Sequence, residues 1–108
     1  MNLQQLANDN QKFKTAFEGW FAENVMHEAK LTVRWFYLLT PSMQIGVLID
    51  FFESVGIEVL PYRRGDSYAF EVSLHNNEGS SCIKYKDTKQ EARTAAITKA
   101  IQIFEARP

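Results

Sequence analysis

Three short runs between Ile57 and Lys86 limit the fold of this chain more than any other feature. In the middle run, Tyr68, Phe70, Val72 and Leu74 alternate with Ala69, Glu71, Ser73 and His75. That period of two belongs to a strand with one face on a core and the other in water. Ile57–Tyr62 precedes it and Ser81–Lys86 follows it. The links Arg63-Arg64-Gly65-Asp66 and Asn76-Asn77-Glu78-Gly79-Ser80 have the length and residue types of hairpin turns. In the third run Ile83 and Tyr85 alternate with Cys82, Lys84 and Lys86. Three consecutive antiparallel strands make a small sheet, and a sheet with one apolar face requires a cover.

The cover is expected from helices on either side. Pro41 to Val55 is apolar around most of a helical circumference: Met43, Val47, Leu48, Phe51, Phe52 and Val55 form a broad face, widened by Ile45 and Ile49. Ser42, Gly46, Asp50 and Glu53 leave one narrow polar stripe. Thr40 is placed to cap this helix, Pro41 suits its first position, and Gly56 suits the left-handed residue after its end. The segment reads as the hydrophobic hub. A last helix starts at Thr88-Lys89-Gln90-Glu91, a capping box. It runs along Ala92, Ala95, Ala96, Ala100 and Ile103, flanked by Ile97, Ile101 and Phe104.

Upstream, residues 2 to about 28 read as a helix with Leu3, Leu6, Phe13, Phe17, Trp20 and Phe21 on one stripe, and Gly19 marks the expected break. Leu31 to Leu39 reads as a short helix. The expected fold class is therefore α+β, in the order α-α-α-β-β-β-α, with the helices packed on one sheet face. The 108 residues fit a single domain, 1–108, with residues 1–30 as a helical N-terminal extension and 41–107 as the α-β-β-β-α core.

Composition narrows the functional classes. Twelve basic against thirteen acidic residues give a net charge of −1, without the basic excess usual in a nucleic-acid binder. One cysteine, Cys82, excludes an internal disulfide and a cysteine-rich zinc site. The start Met1-Asn2-Leu3-Gln4-Gln5 lacks signal-peptide features, and no apolar run approaches a membrane span, so a cytoplasmic protein is expected. His27 and His75 lack partners at a metal-ligand spacing. Arg64-Gly65-Asp66 is read as a turn. Asp50 and Glu53 could act as acid and base if buried together, but a solvent-facing stripe explains them as well. There is no glycine-rich phosphate loop, nucleophile elbow or Cys/His pair. No enzyme activity, cofactor, metal or small-molecule substrate is expected.

Two surfaces are candidates for binding. Arg63, Arg64, Lys84, Lys86, Lys89 and Arg93 are the only basic concentration, suited to phosphate contact. The sequence leaves open whether the Arg63–Asp66 turn and the last helix share one end of the sheet. Asp87, Glu91 and Glu71 offer these cations local partners, so a solvated charged face competes with a nucleic-acid site. Phe17, Trp20, Trp35 and Tyr37 supply the second candidate, an aromatic protein interface, with core packing as its alternative. A protein partner or a second copy of the chain is expected, with nucleic acid as the alternative and no membrane.

Pro41–Ile57 and Thr88–Ala100 resemble segments of small phage, prophage and mobile-element proteins, a likeness extending over about residues 35 to 104. It implies an origin and no particular activity. Residues 41 to 104 also resemble double-stranded RNA-binding domains in their order of helix, three strands and helix. Those domains carry a Gly-Pro-His-bearing loop where this chain has Arg63–Asp66. They also open the last helix with a lysine cluster, where this chain has Asp87 and Glu91 among Lys86, Lys89 and Arg93. The resemblance implies a shared order of elements more than shared RNA binding.

Overall fold

The computed structural model describes residues 2–26, 32–64, 67–74, 80–86 and 88–107; at 26, 61–64, 67–70, 74 and 80–86 the description is of the backbone. The protein is α+β, with antiparallel strands and a C-terminal helix. Its elements are α1 (Leu3–Asn8), α2 (Gln11–Phe21), a π-helical turn (Ala22–Met26), α3 (Val33–Tyr37), α4 (Pro41–Ser54), β1 (Ile57–Arg64), β2 (Ser67–Leu74), β3 (Ser80–Lys86) and α5 (Lys89–Glu105).

The N-terminal stripe breaks at Asp9-Asn10, ten residues before the expected site at Gly19. Local side chains cause the break. Asn2 caps α1 by accepting the Gln5 N–H at 3.1 Å, and Asn10 donates from Nδ2 to the Leu6 carbonyl at 2.8 Å. Asparagine competes with the helix for its own backbone groups: Asn2 opens α1, and the Asn10 bond closes it after six residues. Gly19 stays helical inside α2 on an exposed face. Its propensity cost of about 1 kcal/mol is outweighed by the packing of Phe13, Phe17 and Phe21. The expected continuation past Met26 to residue 28 lies outside the described residues.

α2 therefore packs as part of the core. Every phenylalanine whose side chain is described is buried: Phe13, Phe17, Phe21, Phe36, Phe51, Phe52 and Phe104. Phe17 lies 4.9 Å from Phe36 and 5.4 Å from Phe51, nearly perpendicular to the latter. Phe13 stacks on Phe52 at 5.8 Å, and Phe51 meets Phe104 edge-on at 5.9 Å. Burial of each ring contributes roughly 1.5–3 kcal/mol, and such paired rings add about 0.5–1.5 kcal/mol. Polar ties set the seat of α2. Asn10, at its N-cap position, makes no side-chain capping bond. Glu105 of α5 supplies the acceptor, taking the Phe13 N–H at 2.6 Å. Lys12 donates to the Arg107 carbonyl and sits over the Phe104 ring.

α4 is the hub in part as expected. Ile45, Leu48, Phe51 and Phe52 are buried. Met43, expected on the apolar face, is 54% exposed, and Gln44 is buried in its place. Thr40 holds the cap position but makes no side-chain capping bond; its carbonyl accepts from the Met43 and Gln44 amides. Gly56 has φ +83°, the left-handed value expected of it. Arg107 reaches back to donate to the Val55 carbonyl beside it.

β1 and β2 pair antiparallel from Ile57↔Leu74 to Arg64↔Ser67. β3 lies antiparallel beside β2, with a register irregularity between Tyr68 and Phe70. Ile57, Val59 and Val72 are buried against the helices. α4 packs on β1, and α5 packs on all three strands. Ala92, Ala96 and Ala100 are fully buried, so α5 approaches closely, with Ile97 and Ile101 filling the space alongside. Ala95 and Ile103 sit at the margin of this seam. Thr88 caps α5 by accepting the Glu91 N–H at 3.1 Å, one half of the capping box.

Candidate interaction surface

Phe17, one of the four aromatic interface candidates, is fully buried at the centre of the ring cluster, so it is packing and not a contact residue. Trp20 is partly buried, facing Phe51 at 5.6 Å. Tyr37 is partly buried as well. Only Trp35 is exposed, at 41%.

Trp35 has company that the sequence reading missed. Leu38, three residues further on, is 78% exposed, and Met43 is the third residue of α4. All three large apolar side chains lie within nine residues of chain, around the corner where α3 ends and α4 begins. Met43 could have been found from spacing, because it shares a helical face with Gly46 and Asp50 (i+3 and i+7), both of the polar stripe. Gln44 likewise shares the buried row of Leu48 and Phe52, four and eight residues on.

The corner is built by short-range polar bonds. Thr32 caps α3 through its side chain, accepting from the Trp35 amide at 3.4 Å. Gln44 closes the other end: its Nε2 donates to the Phe36 and Tyr37 carbonyls, at 3.3 Å each. These are carbonyls of the last helical turn, which lack partners within the helix. The Tyr37 hydroxyl is buried with no hydrogen-bond partner among the described residues. Burial, with a smaller contribution from Glu18, pushes its pKa up to about 12.

The basic candidates are distributed by strand topology. Arg63 stands opposite Tyr68, and Tyr68 opposite Lys86. The closing end of the β1–β2 hairpin, the end of β3 and the start of α5 therefore share one end of the sheet, with Arg63, Arg64, Lys86 and Lys89 along it. Lys84 falls at the register irregularity. Lys89 is exposed. Arg93 is engaged, donating to Ser42 Oγ at 3.0 Å, which ties α5 to the first turn of α4.

Asp50 and Glu53 are both exposed on α4. The acid–base reading required their burial and loses its basis. His27, His75, Gly65, Asp66 and Asp87, with the loop from Asn76 to Gly79, lie outside the described residues. Among the described residues no group of three His, Cys, Asp or Glu could hold a metal ion, and no helix is long and apolar enough to cross a membrane.

No family model matches the chain, and no curated protein or solved structure matches it either.

Proposed function

We propose that this chain is a small binding module whose contact surface is the corner carrying Trp35, Leu38 and Met43, and that its partner is a second copy of itself. One observation carries the reading: these apolar side chains stand in solvent while the described phenylalanines are buried. Tryptophan at the centre of an apolar patch is a frequent binding hot spot. Two features favour a second copy. A two-fold contact needs only one self-complementary patch. The net charge of −1 leaves little repulsion between copies. In this reading the α-β-β-β-α unit, with its helices on one face of a three-stranded sheet, is scaffold. The chain acts in the cytoplasm as a phage-type accessory protein without catalytic activity.

Sedimentation velocity up to high micromolar concentration tests the surface. The wild-type chain is expected to self-associate, and Leu38→Lys and Trp35→Ala to remain monomeric with unchanged circular dichroism. A wild-type chain that stays monomeric throughout overturns the second-copy reading.

A second reading, a nucleic-acid module with a fold like that of double-stranded RNA-binding domains, rests on the sharing of one sheet end by Arg63, Arg64, Lys86 and Lys89. Gel shift at low salt, where phosphate contacts are strongest, tests it with duplex RNA, duplex DNA and single strands. Binding that weakens in Arg64→Ala and Lys89→Ala supports it; no shift with any of the three sinks it.

A further inference from the structure

A helix of five residues has no stability of its own, since isolated helices shorter than about 12–15 residues are marginal in water. α3 nevertheless carries Trp35 and sets the position of Leu38. Its side chains anchor it unevenly: Phe36 is fully buried, Val33 and Tyr37 are partly buried against the core, and Arg34 and Trp35 are exposed. Its polar ends are held by two side chains. Thr32, at the N-terminal end, is local and exposed. Gln44, at the C-terminal end, comes from the next helix and is 4% exposed.

A buried amide without partners costs about 1–3 kcal/mol, so a glutamine on the core row of an apolar helix is retained only where its donors are satisfied. Here Nε2 has two carbonyl acceptors at 3.3 Å, and both belong to the end of α3. The Phe36 carbonyl also takes the Leu39 amide at 3.1 Å, so the amide of Gln44 grips the turn that leads into Leu38. No other described side chain from α4 hydrogen-bonds α3.

We propose that Gln44 is the positioning residue of the contact surface: by capping α3 from α4 it fixes Trp35 and Leu38 relative to Met43, its own neighbour in the chain. The proposal rests on reading that corner as the self-association surface. Without the two bonds α3 samples open states, and only the fraction with the corner formed is competent to bind. Both copies of a two-fold contact contribute the corner, so the loss enters the association constant twice.

The test uses the full chain with Gln44→Met, which keeps volume and removes the donors, and Gln44→Glu, which keeps shape and replaces donors by a carboxylate facing two carbonyls. Amide hydrogen exchange and sedimentation velocity are read on each. The expected result is exchange roughly tenfold faster at Phe36, Leu38 and Leu39, with α5 and the second half of α4 unchanged. Self-association should weaken at least as much, with Gln44→Glu worse than Gln44→Met. Uniformly faster exchange across the chain would mean a general core role and overturn the proposal. So would wild-type exchange at α3 in Gln44→Met, or loosened α3 with unchanged association. If the wild-type chain proves monomeric, the self-association reading fails by that measurement alone, and the exchange data still decide whether Gln44 holds α3.

Discussion

Tyr37 shows how a single side chain departs from what its type suggests. A tyrosine two residues after Trp35 reads as an interface residue, yet its hydroxyl is buried and unpartnered among the described residues. The neutral phenol is therefore favoured in the fold, with the pKa pushed from 10.0 to about 12. The unfolded chain loses this proton first as pH rises, so it binds fewer protons than the native state between the two values. Whatever stability the neutral form contributes is intact below pH 10 and is lost as pH rises through about 12. Ultraviolet titration should show a late phenol step that is absent in Tyr37→Phe. Tyr37→Phe should be neutral or stabilising by up to about 1 kcal/mol, because it removes an unsatisfied polar group. A loss of more than about 1 kcal/mol would show that the hydroxyl has a partner.

At the scale of elements, glycines separate propensity from geometry. Gly19 in α2 and Gly46 in α4 are exposed helical positions, and a Cβ at either would meet nothing within 4 Å. Gly19→Ala and Gly46→Ala should each stabilise the protein by about 0.5–1 kcal/mol, read as a higher midpoint in urea. Gly56→Ala should destabilise it by about 1 kcal/mol or more, because φ +83° is strained for any residue with a Cβ. An unchanged midpoint in Gly56→Ala would mean that the helix end relaxes to another conformation. The element boundaries that were legible had a chemical mark at the boundary itself: Pro41, Gly56 and Thr88. The break at Asp9-Asn10 was less legible. It depends on Asn10 turning back to the Leu6 carbonyl and on Glu105, distant in sequence, taking over the capping of α2.

On the scale of the whole molecule, the ring cluster joins the N-terminal helices to the rest. Phe17 touches Phe13, Trp20, Phe21, Phe36 and Phe51, so it bridges α2, α3 and α4. Phe17→Ala should cost about 3–5 kcal/mol. That is a large part of the stability of a domain this size. The expected readout is a single cooperative urea transition moved to a much lower midpoint. Two separate transitions would show instead that α1 and α2 fold independently of the remainder.

By itself the sequence determined the α+β class, the hub segment from Pro41, the left-handed Gly56 and the capped last helix. Each follows from local periodicity or from one residue's own backbone preference. Only the tertiary structure decided that Phe17 is buried while Trp35 and Leu38 remain in solvent. All three are large apolar side chains. Their fates differ because Glu105 clamps α2 to α5, which holds Phe17 inside the ring cluster. Burial is a property of the partners a side chain meets, and those partners come from segments far apart in the chain.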